Sequence, residues 1–184
     1  MTTRPTQPAD GNPADGATVQ DGNVPDLPAG RFSGRSEFAQ IVRDALAGAV
    51  REGWREIIIS DASFEDWPLG ERAVVDSLQA WSTAGRRLVV LAQRYDEVYR
   101  RHARFVTWRR TWAHLVEAHR CAAASTVDLP SAIWSPAWAL RQLDLERSTG
   151  TCGREPERRL QIREALDEWL RKSTPGFPAS TLGL

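Results

Sequence analysis

Two short apolar runs constrain the fold of this chain more than any other feature. Glu56-Ile57-Ile58-Ile59-Ser60 holds three consecutive isoleucines, and Arg87-Leu88-Val89-Val90-Leu91-Ala92 is a second run without polar alternation. Strands with this pattern are buried on both faces, as in a parallel sheet covered by helices. A helical spacing through Val74, Leu78 and Trp81 lies between them. The chain is therefore predicted to contain a β-α-β unit.

Further elements are predicted on both sides of this unit. A helix that Ser33 or Ser36 caps and Gly53 ends precedes it, because apolar residues recur there at spacings of three and four. After it the pattern predicts a helix over 95–112 broken near His102, a strand over 114–121, a proline-containing connection over 127–138, an edge strand over 139–145 and a helix over 157–172. The predicted fold class is α/β, with a mainly parallel sheet of three to four strands and flanking helices.

Composition separates a single domain from two tails. Residues 1–30 are rich in Pro, Gly, Asp, Asn and Thr, and Val19, Val24 and Leu27 are their only sizeable aliphatic residues. Ordering a residue costs about 1–2 kcal/mol, and burying an aliphatic side chain returns only about 1.5–3 kcal/mol. We therefore expect a disordered tail over 1–30, one α/β domain over 31–173 and a C-terminal tail over 174–184.

Charge and cysteine content limit the classes of function. The 24 Lys and Arg residues balance 24 Asp and Glu residues. The first thirty residues hold four aspartates and one arginine, so the domain itself is mildly basic. This is far from the strongly basic footprint of a dedicated nucleic-acid-binding protein. No secretory signal and no membrane-length apolar run is found, and Cys121 and Cys152 are too few for a disulfide scaffold. A cytoplasmic protein that does not enter a membrane is predicted.

No motif for a cofactor or a metal is found. The chain has no glycine-rich phosphate loop, no nucleophile elbow and no cysteine pair with ligand spacing. His114 and His119 are five positions apart, so on a strand their side chains face opposite ways. The sequence therefore predicts neither a cofactor nor a metal site.

The segment after the first apolar run offers acid/base candidates. Asp61 ends that run, where open α/β sheets bind ligands, and Asp66 follows it closely. His114 is a third candidate if the fold brings it near Asp61. The competing interpretation gives Asp61 a structural role at a helix start, where a carboxylate offsets the helix dipole.

Arginines alternate with aromatic residues over 100–114. This composition is typical of surfaces that grip phosphates and stack bases. The candidate binding residues are Arg101, Arg104, Trp108, Arg109, Arg110 and Trp112, with Trp67 from the preceding motif. The alternative is that the aromatic stripe belongs to the core and the arginines form a solvated rim.

Two resemblances rest on these segments. Asp61-Ala62-Ser63-Phe64-Glu65-Asp66-Trp67-Pro68-Leu69-Gly70 and the 101–114 motif resemble an uncharacterised bacterial domain family over residues 32–146. Its members stand alone or follow GNAT-type acetyltransferases, so the resemblance implies a functional link to an acetyltransferase. The order of elements is also similar to half of a phospholipase-D-type fold. Those enzymes need a His-x-Lys motif, and here the only lysine is Lys172, so the resemblance implies no such catalysis.

These observations lead to three hypotheses. The first is a non-catalytic binding or regulatory module for an anionic group, which could be a phosphate, a nucleic acid or an acidic protein surface. The second is an enzyme for a phosphorylated or acyl substrate that uses Asp61, Asp66 and His114. The third is a structural protein that forms a homodimer through an exposed tryptophan face.

Overall fold

The computed structural model describes Met1, residues 26–121 and residues 129–179. The strands are β1 (Gly30–Ser33), β2 (Glu56–Asp61), β3 (Arg87–Ala92), β4 (Val116–Arg120), β5 (Ala132–Trp134), β6 (Ala139–Asp144), β7 (Thr149–Gly153) and β8 (Thr174–Pro175). The helices are α1 (Arg35–Arg51), α2 (Arg72–Trp81), α3 (Asp96–Arg101), α4 (Ala103–Thr111) and α5 (Pro156–Lys172). Most of the tail predicted over 1–30 lies outside the described residues, as does the end of the chain beyond residue 179.

All the described strands form one mixed sheet. Its order is β1-β7-β6-β5-β2-β3-β4-β8, with eight strands. Only β2, β3 and β4 run parallel to one another, and every other neighbouring pair is antiparallel. The prediction of a mainly parallel sheet of three to four strands is therefore wrong. The additional strands β1, β5, β7 and β8 have two to five residues each, so their sequences carry little periodic signal.

The predicted β-α-β unit is present. Strands β2 and β3 pair in parallel, from Glu56 with Arg87 to Asp61 with Ala92, and α2 connects them. Ile57 and Ile59 belong to the larger core on the side of α1, α2 and α4. Ile58 belongs to a second core on the opposite face, where it meets residues of α5. Both faces of the sheet are covered, which explains the unbroken run of isoleucines.

The helix predicted over 95–112 is broken at the expected place. His102 separates α3 from α4, with φ −116° and ψ 45° outside the helical range. The cap of α1 differs from its prediction, because Gly34 occupies the N-cap with φ 100° and neither Ser33 nor Ser36 caps the helix with its side chain. A positive φ of this size favours glycine.

The middle of the chain also differs from its prediction. Residues 139–145 are predicted as an edge strand, but β6 lies inside the sheet between β5 and β7. Gln142 is buried on this strand, where its Oε1 accepts a hydrogen bond of 2.5 Å from the Ser131 hydroxyl. A buried and satisfied polar side chain looks like an exposed one in sequence, and this gives β6 the alternation of an edge strand. The predicted connection over 127–138 contains β5.

The described part of the predicted C-terminal tail is attached to the domain. Thr174 and Pro175 pair with the end of β4. Phe177 is only 3% exposed, and its ring stacks on that of Tyr95 with centroids 4.9 Å apart. One aromatic residue next to prolines and glycine gives no periodicity, so the sequence does not indicate this contact. Within the described residues no helix has the length and apolar character to cross a membrane.

Candidate functional site

The two motifs singled out in the sequence meet on one side of the molecule. The Nε2 atom of His102 lies 2.8 Å from the carbonyl oxygen of Phe64. Arg101 forms an ion pair of 2.8 Å with Glu65. Arg104 donates a hydrogen bond of 3.2 Å to the carbonyl oxygen of Gly70. The 61–70 loop and the α3–α4 segment therefore form one continuous surface.

Asp61 is engaged in a local turn. Its Oδ1 accepts hydrogen bonds from the main-chain N–H groups of Ser63, at 2.9 Å, and Phe64, at 2.6 Å. The side chain is buried, and Phe64 takes a left-handed conformation with φ 59°. These contacts have the geometry of an aspartate turn, in which the carboxylate substitutes for a main-chain acceptor.

The other two acid/base candidates lie apart from Asp61. Asp66 is partly exposed and lies 3.4 Å from a guanidinium nitrogen of Arg35. His114 is exposed just before β4, whereas Asp61 ends β2. Because β2 and β4 run parallel through β3, these two residues lie at opposite ends of the sheet. The structure does not assemble the shared acid/base site that the sequence suggested for Asp61 and His114.

Two of the three tryptophans named as binding candidates belong to the core. Trp67 is 3% exposed and packs edge-on against Phe38, with ring centroids 5.4 Å apart. Trp108 is also 3% exposed and stacks on Phe105 at 5.5 Å. Trp112 alone is partly accessible, and its Nε1 donates to Gln79 at 2.9 Å. The aromatic stripe thus follows the core interpretation, because its rings fill the space between α4 and the sheet.

The arginines of this region divide by their partners. Arg100 pairs with Glu97, and Arg101 pairs with both Glu65 and Glu97. Arg104 and Arg110 are exposed on α4 and have no carboxylate partner among the described residues. No carboxylate of the described residues balances these two charges, and Arg104 has only the Gly70 carbonyl oxygen as an acceptor there.

A groove between α2 and α4 runs beside this exposed side of α4. Its cavity of about 480 Å³ is lined by residues that include Arg72, Arg104, Thr107 and Trp108. Arg72 is highly exposed and has one loose partner, Asp76 at 3.4 Å. The groove thus combines an apolar wall with basic side chains at its rim.

Arg109 differs from its neighbours, although the sequence placed it with Arg110 at the rim. It is 7% exposed, and its guanidinium carbon lies 5.9 Å from the ring centroid of Phe177. Burial lowers the pKa of the Arg109 guanidinium, and the nearby Tyr95 and Tyr99 oppose this shift. A buried arginine looks like an exposed one in an amphipathic pattern, which explains the misplacement.

His119 is a further polar residue of this region, and in the sequence it stood out only as a possible metal ligand. It lies on β4, half-buried, and shares a cavity with Arg109. Burial lowers the pKa of its imidazole. In the sequence, the alternation of polar Glu117 and His119 with apolar residues within β4 was the pattern that could have indicated the position of His119 on this strand. Among the described residues, no group of three or more His, Cys, Asp or Glu side chains is arranged to hold a metal ion.

Comparisons with known proteins support the fold. No protein-family model matches the chain, and no curated protein sequence matches it either. The archaeal chromatin protein TrmBL2 is similar in structure, with 14% identity and a TM-score of 0.57 over 79% of this chain and 54% of that one. This chain thus spans about half of TrmBL2. NucT from Helicobacter pylori has 8% identity and a TM-score of 0.55 over 82% of this chain and 100% of its own.

At such low identity, these likenesses establish the fold alone. They support an α/β fold with a mixed sheet and flanking helices. The resemblance to an uncharacterised bacterial domain family finds no support.

Proposed function

We propose that this domain is a nucleic-acid-binding module whose exposed arginines on α4 contact the phosphate backbone. The observation that carries the proposal is the exposure of Arg104 and Arg110 without a carboxylate partner among the described residues. The published description of TrmBL2 as a chromatin protein with a novel mode of DNA binding favours nucleic acid over other anionic partners.

The position of these arginines suits contact with a polymer. The exposed positions of α4 cover about one third of its circumference at 3.6 residues per turn; they are Ala103, Arg104, Thr107, Arg110 and Thr111. Arg72 extends the same basic surface across the groove to α2. A guanidinium group can bind a phosphate through two parallel hydrogen bonds.

Such binding depends little on base sequence. Trp67 and Trp108 are buried, so they offer no platform on which bases could stack. Phosphate contacts position a protein on nucleic acid without reading its sequence. We therefore propose a preference for the backbone, with Trp112 as the only tryptophan of the three that an unpaired base could reach.

The proposal assigns no catalytic step to the domain. Asp61 is occupied in its turn, and His114 lies at the other end of the parallel strands. An enzyme that uses Asp61, Asp66 and His114 together would require these groups to converge. A homodimer and a link to an acetyltransferase are left out because nothing observed supports them.

Binding of a short fluorescent duplex DNA, measured by anisotropy across a salt series, tests the proposal. We expect the logarithm of the association constant to fall linearly with the logarithm of salt concentration between about 50 and 200 mM. The double variant Arg104→Gln/Arg110→Gln should bind more weakly. Its salt slope should also be smaller by about two, because each lost phosphate contact contributes about 0.9.

Arg147→Gln is the control for the loss of an arginine elsewhere on the surface. This arginine is 83% exposed in the turn after β6 and lies 4.0 Å from Asp144, so the variant removes one positive charge, against two in the double variant. It should bind duplex DNA as the wild type does. Absence of binding at low salt, or an equal loss in Arg147→Gln and the double variant, would contradict the proposal.

A further inference from the structure

Arg109 is a buried cation that no carboxylate pairs in the described part of the chain; its guanidinium lies beside the ring of Phe177 instead. Its Nε and Nη1 atoms are fully buried and have no hydrogen-bond partner among the described residues. Other half-buried arginines are paired: Arg87 contacts Glu56 and Glu117, and Arg163 contacts Glu56 and Asp167. Burying a charge without pairing it is strongly unfavourable. Arg109 therefore needs an explanation that folding alone does not provide.

A cavity at the outer edge of β4 provides one. It has a volume of about 530 Å³, and Arg109 and His119 both line it. The Nδ1 atom of His119 is also fully buried and has no hydrogen-bond partner in the described part of the chain. The Arg109 and His119 side chains thus border the same space, and Arg109 is more than nine-tenths buried.

Within the described residues, the rest of the lining holds one acidic residue, Glu117. Its two carboxylate oxygens accept hydrogen bonds from Arg87 at 2.8 and 2.6 Å, so Glu117 pairs with Arg87 and not with Arg109. The remaining lining residues are Ala118, Pro175, Gly176 and Pro178, which are apolar. A volume of this size is typical of sites for small molecules.

We propose that this cavity binds a small organic molecule through a phosphate or carboxylate group that pairs with Arg109. The planar guanidinium matches the geometry of both oxyanions, and the His119 imidazole at the same cavity can supply a second N–H donor. The ring of Phe177 beside Arg109 helps to hold the guanidinium in place. Arg109 faces the protein interior, whereas the exposed face of α4 carries Arg104 and Arg110. This site is therefore separate from the proposed nucleic-acid surface.

Thermal unfolding of the full chain tests the site with three probes at constant ionic strength. Phenyl phosphate and benzoate carry the two oxyanions on the same ring, and phenol is the neutral control. We expect at least one anionic probe to raise Tm in a saturable manner, whereas phenol leaves it unchanged. The probe with the larger shift identifies phosphate or carboxylate as the preferred group.

Two variants and one control locate the binding. Arg109→Met keeps an unbranched apolar chain without the guanidinium and should abolish the probe-dependent shift. Without a probe its Tm should equal or exceed that of the wild type, because an unpaired buried charge is removed. His119→Phe keeps a planar ring and should weaken binding about tenfold, which serves as the test if Arg109→Met does not fold. Arg147→Gln should bind the probe normally.

The inference is overturned if no anionic probe raises Tm, or if Arg109→Met binds the probe as tightly as the wild type. It is also overturned if Arg109→Met does not fold and His119→Phe binds normally. Duplex DNA binding by the same variants separates the two proposals, since only the small-molecule site depends on Arg109.

Discussion

The imidazole of His102 ties the junction between α3 and α4 to the loop after β2, since its Nε2 lies 2.8 Å from the carbonyl oxygen of Phe64. A carbonyl oxygen only accepts hydrogen bonds, so Nε2 carries the proton in this contact. Burial lowers the pKa of His102 from its ordinary value of 6.5, and the Phe64 carbonyl opposes this shift. The folded protein therefore favours a neutral His102.

This relationship makes stability depend on pH. The unfolded chain, whose histidines titrate near 6.5, binds the His102 proton more tightly than the folded protein does. The contribution of neutral His102 is therefore present above that pH and is lost as pH falls through the lower folded pKa. Urea unfolding at a series of pH values should show the free energy of unfolding decreasing on acidification.

His102→Gln should make that decrease shallower, because glutamine does not titrate. His119→Gln is measured beside it to separate the contributions of the two histidines, since burial lowers the pKa of His119 as well. If the slope below about pH 6.5 is the same in the wild type and both variants, these two histidines do not control it.

Gly70 should not tolerate a larger side chain. A Cβ atom there would lie 2.8 Å from the carbonyl oxygen of Arg101 and 3.1 Å from Nδ1 of His102. Overpacking of this kind costs about 1–3 kcal/mol, so Gly70→Ala should unfold at a lower urea concentration. An unchanged midpoint would mean that the loop and the α3–α4 junction are not in close contact in solution.

Substitution of Asp61 should affect stability more than binding. Asp61→Ala removes the acceptor for two main-chain N–H groups and should cost about 1–2 kcal/mol. Asp61→Asn keeps an oxygen acceptor and should cost less. Both variants should bind duplex DNA as the wild type does. A loss of DNA binding in Asp61→Asn, with stability unchanged, would assign this carboxylate a functional role instead.

Phe177 should be important for stability although it follows the last helix. It is 3% exposed and packs against Tyr95, Tyr99 and Phe105. Truncation of a buried phenylalanine costs about 3–5 kcal/mol, so Phe177→Ala should lower Tm by many degrees. Pro178→Ala, at an exposed neighbour, is the control. Equal Tm values for the two variants would show that this segment is not docked.

The parts of the fold predicted correctly are those with strong local patterns. The buried runs of β2 and β3, the helix between them and the break at His102 follow from apolar spacing. Other strands were not predicted, because they are too short: β5 has three residues and β8 has two. Their formation depends on neighbours that the fold supplies, and a short segment carries little of that information.

The candidate site shows a similar division. The sequence singled out two segments, and the structure places them in contact; that they form a functional site stays a prediction. It could not separate Arg109 from Arg110, because burial of one guanidinium depends on Phe177 and β4, which approach α4 only in the folded chain. The predicted proximity of Asp61 and His114 is wrong for the same reason. Which residues share one end of the sheet depends on the direction of each strand, and that direction is set by the fold as a whole.

Strand β1 has a consequence for the order of assembly. Its partner is β7, so Gly30 pairs with Cys152 from near the other end of the chain. The parallel strands β2, β3 and β4 can associate from consecutive segments, whereas closing the contact between β1 and β7 requires a very long loop. During synthesis, β1 leaves the ribosome long before β7 and cannot pair until β7 has emerged. Of the described strands, the one made earliest is expected to be among the last to find its place.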